Sequence, residues 1–362
     1  MRYFKLLFFI FLFIFLEAND SRLCKTCHPK IYSEYQDSMH FKSTIKKDKI
    51  HNIMWQKHPL KQKNDYKCAM CHDPKVKGKL DSGVDCISCH KIKDIKEHTK
   101  ANINIYEETP KTFYSKDINN RDKKITYHKS SSFFGLFSKV VGSPYHDIDY
   151  TNKNYYNGRM CMGCHSHLQN SLGFTICQTP KSGASNIKQN CITCHMPKVS
   201  GSATTIKQTK THVYHGFLGA YNKPNLLSKY INLNITKSSN GFSIVIKNLT
   251  PHPFFTQPLR AVILNVEVKD KDKIVYKKQI EFIKIIGKDS KATLPAFANS
   301  IIKDTMIKAN ESRVVNFDYK LKDNQKVVAT LGFYIINPKS ADKLGVKDKK
   351  LTDFIELKKV TF

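Results

Sequence analysis

The chain is 362 residues long and 40% hydrophobic, enough for two domains with packed cores. Lysine and arginine number 60 against 30 acidic residues, giving a formal charge of +30, which generically suggests nucleic acid. Much of that charge is lysine diluted along the whole chain beside abundant isoleucine and asparagine, so charge alone names no partner, and the exported character argued next excludes nucleic acid.

At the N-terminus Arg2 and Lys5 precede an unbroken apolar run from Leu6 to Leu16, and Glu17-Ala18 offers a cleavage point before Asn19. Eleven apolar residues are too few to cross a bilayer comfortably, so residues 1–18 read as a signal peptide and the protein as periplasmic. An uncleaved anchor is the alternative. Ser21-Arg22-Leu23 before Cys24 is no lipobox.

Five Cys-x-x-Cys-His motifs follow, at Cys24-Cys27-His28, Cys68-Cys71-His72, Cys86-Cys89-His90, Cys161-Cys164-His165 and Cys191-Cys194-His195. Two thiols three positions apart can form thioethers with the two vinyl groups of one haem, and the adjacent histidine then sits under the iron. Zinc ribbons and redox dithiols also use Cys-x-x-Cys, but they give no reason for a histidine after every pair. Five covalent haems are therefore expected. Haem propionates would offset on the order of ten positive charges, leaving a basic shell that would steer acidic redox partners or an anionic membrane surface.

Residues 19–222 are expected to be a haem-packed domain of short helices and loops, because the porphyrins supply its core. The motif starts are unevenly spaced, and the closeness of Cys68 and Cys86 suggests two neighbouring haems. The apolar stretch from Ser132 to Phe137 is a candidate cover for a haem face. Cys177 is the odd cysteine, read as a small apolar residue, with a catalytic thiol as the alternative.

Beyond residue 222 cysteine vanishes and alternation takes over. Ile231, Leu233 and Ile235 alternate with polar residues, as do Phe242, Ile244 and Ile246, with Asn240-Gly241 between them as a hairpin signal. Further strands are expected at 264–268, 274–282, 313–319 and 327–336, and a helix at 338–344. Residues 223–362 thus predict an antiparallel β-sandwich of Ig-like type, and the whole chain an α+β fold.

Ten histidines lie outside the motifs, twice the number of irons, so bis-histidine ligation throughout is possible. Methionine is the rival ligand, and Met39, Met54, Met160, Met162 and Met196 lie nearby. Several segments resemble periplasmic multihaem cytochromes related to the tetrahaem electron carrier of ammonia oxidation. They are Cys24 to His40, with Ser38-Met39-His40 at its end, Gly83-Val84 before the third motif, and Ser143-Pro144-Tyr145-His146. Cys194-His195-Met196-Pro197, His215 to Gly219, and Pro251-His252-Pro253 with Pro258-Leu259-Arg260 complete the set. The resemblance implies that His40, His146, His215 and His252 are distal haem ligands, with His128 and His167 next. Two departures stand out: Tyr35 replaces the usual Trp, and Gln178-Thr179-Pro180-Lys181 replaces a usual helix.

Two functions follow from these readings. An electron carrier would pass charge along closely packed bis-histidine haems to redox partners in the periplasm or at the membrane. A multihaem oxidoreductase acting on nitrite, hydroxylamine or a sulfur oxyanion would need one open iron. No Cys-x-x-Cys-Lys occurs, which removes the signature of pentahaem nitrite reductases and favours the carrier.

Overall fold

The computed structural model describes residues 21–74, 81–132 and 137–362. The apolar N-terminal segment lies outside the described residues, as do positions 133–136 of the Ser132 to Phe137 stretch and the side chain of Cys177. Among the described residues no helix is long and apolar enough to cross a membrane.

Each of the five motifs lies on or ends a very short helix: Ser21–Cys27, Ala69–His72, Cys86–His90, Met162–His165 and Cys191–His195. Isolated helices of this length are unstable in water, so local caps and tertiary packing must hold them. Asp85 accepts the Ser88 amide at 2.7 Å and starts the third. Asn190 accepts the amides of Ile192 and Thr193 at 2.9 and 3.2 Å, while the Asn190 amide donates to the Thr193 hydroxyl, a reciprocal box that starts the fifth.

The helix Pro29–Asp37 begins with proline at its first position and buries Tyr32 and Tyr35 on one face. Ser38, fully buried, ends it. Its hydroxyl donates to the Tyr35 carbonyl at 2.6 Å and accepts the Phe41 amide at 3.2 Å. That turn swings His40 off the helix axis, giving the Ser-x-His pattern a mechanical meaning. The backbone of His40 is clamped from outside: Val84 donates to its carbonyl at 2.9 Å, and a Cβ at Gly83, whose φ is +72°, would lie 2.4 Å from that oxygen. Tyr35 uses what tryptophan lacks, a hydroxyl that donates to the Ser82 carbonyl at 3.1 Å.

Small sheets, absent from the sequence reading, fill the gaps between motifs. Ile92–Lys96 pairs with Ile103–Tyr106, His128–Ser132 with Phe137–Val141, His167–Gln169 with Thr175–Gln178, and Lys198–Ser200 with Thr211–Val213, all antiparallel. Asp147–Asp149 lies between Thr112–Tyr114 and Lys124–Ile125. These strands are five residues or shorter, too short for alternation to register. The strand Thr175–Gln178 ends at the start of the departing segment 178–181, and a short 3-10 helix Lys181–Ala184 follows it.

The C-terminal part is a sandwich. Ile231–Ser238, Gly241–Asn248 and Ser312–Phe317 form a three-stranded antiparallel sheet. Ala261–Asp270 is central in a six-stranded sheet, flanked by Lys273–Lys288 and Gln325–Tyr334, with Ile355–Thr361 beyond the latter. Lys291–Ala292 and Ser300–Asp304 pair with the far end of Lys273–Lys288. Phe242, Ile244, Ile246 and Phe317 from the first sheet meet Val262, Leu264, Val266, Leu331 and Phe333 from the second in one core. Each such side chain contributes roughly 1.5–3 kcal/mol on burial. Phe242 and Phe317 stack with ring centres 4.9 Å apart. The helix Pro338–Leu344 starts on the Asn337 cap and stops at Gly345 in the left-handed region. Ile50, Ala220 and Tyr221 pack against this core from the cysteine-rich side, so the two parts share a seam.

Candidate functional site

A single cavity of about 3270 Å³ runs through the cysteine-rich part, lined by all ten motif cysteines and all five motif histidines. A pocket for one small ligand is typically about 300–1,000 Å³, so this space suits several large groups. Thiols of motifs far apart in sequence meet along it: Cys86 contacts Cys24, Cys164 contacts Cys71, and Cys161 contacts Cys191. The contact of Cys86 with Cys24 arises because the helices Ser21–Cys27 and Cys86–His90 pack together.

Four of the non-motif histidines each face one motif histidine. Ring centres are 6.2 Å apart for His28 and His146, 5.9 Å for His165 and His40, 6.2 Å for His90 and His215, and 6.2 Å for His195 and His252. Metal–imidazole bonds of about 2.0 Å on both sides, with roughly 1.1 Å from nitrogen to ring centre, place two trans imidazoles about 6.2 Å apart. The four spacings therefore fit one iron each. His252 reaches the cavity from the sandwich side of the seam, on the loop after Gly241–Asn248.

Backbone carbonyls orient most of these rings. The Nδ1–H groups of His28, His90 and His195 donate to the carbonyls of Ala203, Tyr114 and Leu218 at 2.7, 2.7 and 2.6 Å. His215 and His252 donate likewise to Val213 and Pro253 at 2.6 and 2.7 Å. Fixing the tautomer in this way leaves Nε2 as the lone-pair nitrogen a metal needs. Among the described residues His40 lacks such a partner at Nδ1. Burial in the protein interior pushes the His40 pKa down to about 3, with the His165 charge adding to it, and that of His215 to about 4, with His90 adding. Burial also lowers His90, His146, His165 and His195. The neutral ring, the ligating form, is thus favoured at these six histidines.

The fifth motif histidine is different. The ring facing His72 is His51, 4.0 Å between centres, too close for an iron between them. Both nitrogens of His51 are engaged: Nδ1 bonds the Ser43 carbonyl at 2.8 Å and Nε2 lies 3.1 Å from the Tyr66 hydroxyl. His72 bonds the same Ser43 carbonyl at 3.2 Å. Burial lowers its pKa to about 3, with His51 adding.

His128 and His167, the next candidates from the resemblance, are not brought opposite any motif histidine among the described residues. His128 is exposed on a surface strand, and the His167 Nε2 bonds the carbonyls of His98 and Thr99 at 2.8 and 3.1 Å. Sequence reasoning missed Glu34, which accepts the His215 amide at 3.0 Å and bonds His212 at 2.9 Å. It also missed Asn248, fully buried, whose side chain holds the His252 loop. No motif flags either residue: Glu34 bonds His212 and His215 across the chain, and Asn248 holds its own loop and the Lys308 carbonyl.

The family described as cytochrome c554 and c-prime matches residues 23–91. A penta-heme cytochrome c552 from Thermochromatium tepidum shares the fold, with a TM-score of 0.72 at 21% identity over 95% of this chain and 99% of that chain. The E. coli curli protein CsgC aligns over 28% of this chain and 82% of that one at 10% identity, with a TM-score of 0.18 that carries no weight. No curated protein matches the chain. The matched segment makes residues 23–91 similar to the cytochrome c554 and c-prime family, and the penta-heme neighbour shows that the chain shares its fold.

Proposed function

We propose that this protein is a periplasmic carrier that holds five covalent haems and passes electrons between protein partners of a respiratory chain. The observation that carries the proposal is the set of four facing imidazole pairs, each spaced for one iron. In this reading the ten motif cysteines form the thioethers. His28 with His146, His90 with His215, His165 with His40, and His195 with His252 are axial pairs, and His72 binds the fifth iron. Residues 1–18 are the signal peptide, residues 19–222 the haem domain, and residues 223–362 the sandwich that contributes His252.

When bound, the haems supply the one-electron iron couple, low-spin where two imidazoles fill the axial positions. The chain's own residues do the rest. Carbonyls such as those of Ala203, Tyr114 and Leu218 hold the rings so that Nε2 faces inward. Contacts between thiols of different motifs set the attachment sites side by side in one cavity. The basic exterior attracts an acidic protein partner or an anionic surface and makes association salt-sensitive. The test is stopped-flow transfer to candidate periplasmic partners beside steady-state turnover with nitrite or hydroxylamine. Fast, salt-sensitive transfer with negligible turnover is expected. Turnover of either nitrogen compound at tens per second, the range of a dedicated enzyme, overturns the carrier reading.

One observation favours a second reading, a multihaem oxidoreductase. His51 engages both its nitrogens elsewhere and leaves no space for an iron between itself and His72. An iron on His72 without a second imidazole would keep a position for a small nitrogen or sulfur compound, with the Tyr66 hydroxyl close by as a proton source. Turnover lost in Tyr66→Phe, with haem content unchanged, would establish that reading. Its absence in the parent protein would remove it.

A further inference from the structure

The loop that carries His252 into the cavity also carries Arg260, which lines the same space. The guanidinium carbon lies over two aromatic rings, 5.5 Å from the centre of Tyr221 and 5.0 Å from that of Phe255. The rings fix the group, and the Tyr221 hydroxyl also bonds the guanidinium, but neither ring supplies a full negative charge. Asp48 is the carboxylate that acts on it, but Asp48 is committed as a helix cap, its Oδ1 accepting the amides of Ile50 and His51 at 2.9 and 3.2 Å. Among the described residues none makes an ion pair with Arg260. Burial lowers the pKa of Arg260 and raises that of Asp48, and each charge offsets part of the other's shift. Arginine stays charged in proteins, and an interior guanidinium without an anion is strongly unfavourable.

The placement narrows what the anion is. Tyr221 lies three residues after Leu218, whose carbonyl holds the His195 ring, and Phe255 lies three residues after His252. Tyr221, Phe255 and Arg260 line the same cavity as His195 and His252. We propose that Arg260 is a carboxylate-binding site inside the cavity and that its ligand is a propionate of the haem held between His195 and His252. A planar fork of N–H donors matches a carboxylate in bidentate fashion, and the cation beside the iron disfavours the more positive oxidised state. This inference rests on the haem reading above. It also gives the sandwich a second task, setting the potential of the haem it caps.

The same chemistry would suit a free oxyanion, so the test separates the sources. Holo-protein bearing R260Q or R260K is first checked for five haems by intact mass, which tests the haem reading by itself. Spectroelectrochemical titration and resonance Raman of the propionate bending region follow, with sulfate and nitrite added in separate arms. In R260Q the midpoint potential of one haem, the one whose low-spin signal His252→Ala abolishes, should fall while the other four hold. One propionate band should shift, and added sulfate or nitrite should change nothing in the parent protein. R260K should restore the potential in part but not the band, because it keeps the charge and loses the fork. Should R260Q fail to mature, the shifted band in R260K carries the test. Unchanged potentials and bands in either variant overturn the proposal. A parent potential that moves with added sulfate or nitrite, and ceases to move in the variant, overturns it in favour of a free-anion site.

Discussion

Replacing Asn248 by alanine isolates how the sandwich delivers His252. The Asn248 side chain makes four hydrogen bonds from a fully buried position. Its Nδ2 donates to the carbonyls of His252 and Lys308 at 2.9 and 2.8 Å. Its Oδ1 accepts the Thr250 amide at 2.9 Å and the Thr250 hydroxyl at 2.7 Å. Each such bond contributes about 1 kcal/mol net, and orphaned buried partners cost more. One partner keeps a substitute, since the Thr250 hydroxyl also donates to the His252 carbonyl at 2.8 Å. The expected loss is therefore roughly 2–4 kcal/mol, a large fraction of a typical domain stability of about 5–15 kcal/mol. Its spectroscopic mark should be specific. Guanidinium titration followed by the low-spin to high-spin change should show one iron losing its distal ring at lower denaturant than in the parent, with the remaining irons unmoved. Asn248→Asp should be at least as damaging, because a carboxylate would then face two carbonyls. A loss under about 1 kcal/mol with no change at any iron would refute the view that Asn248 holds the His252 loop.

Three further outcomes are expected. Intact mass after maturation in a host with the c-type assembly system should show five haem additions, and a smaller number would sink the count. His252→Ala should convert one iron to high spin and leave the rest alone, whereas an unchanged spectrum would reduce His252 to a turn residue. Gly83→Ala should force the His40 carbonyl away, since the new Cβ would sit 2.4 Å from it at a φ of +72°, and should perturb the iron of His165. A normal electron paramagnetic resonance spectrum for that variant would mean the Gly83 clamp does not reach His40.

The local features of this fold were legible in sequence, and the long-range ones only in part. The hairpin at Asn240-Gly241, the alternation of Phe242, Ile244 and Ile246, and the helix 338–344 with its Asn337 cap were all readable, because each depends on neighbours in the chain. The strand Ile355–Thr361 was not foreseen, since Ile355, Leu357 and Val360 are only partly buried at the sheet edge and their pattern breaks at a bulge. The facing of His40, His146, His215 and His252 toward motif histidines came from resemblance, not from periodicity. Which motif each one faces was beyond the sequence: His40, sixteen residues from Cys24, turns to His165 rather than to His28. Ser38 and Gly83, distant in sequence, both shape the backbone around His40 after folding. The 4.0 Å approach of His51 to His72 had no sequence signal, because both rings share the carbonyl of Ser43 across a turn.

In the proposed reading, facing histidines in one cavity hold the irons. Spin quantitation by electron paramagnetic resonance on the fully oxidised protein tests it most directly. Four irons per chain should appear as low-spin bis-histidine signals, with the iron of His72 giving a signal distinct from them. Fewer than four low-spin bis-histidine irons per chain would contradict the account.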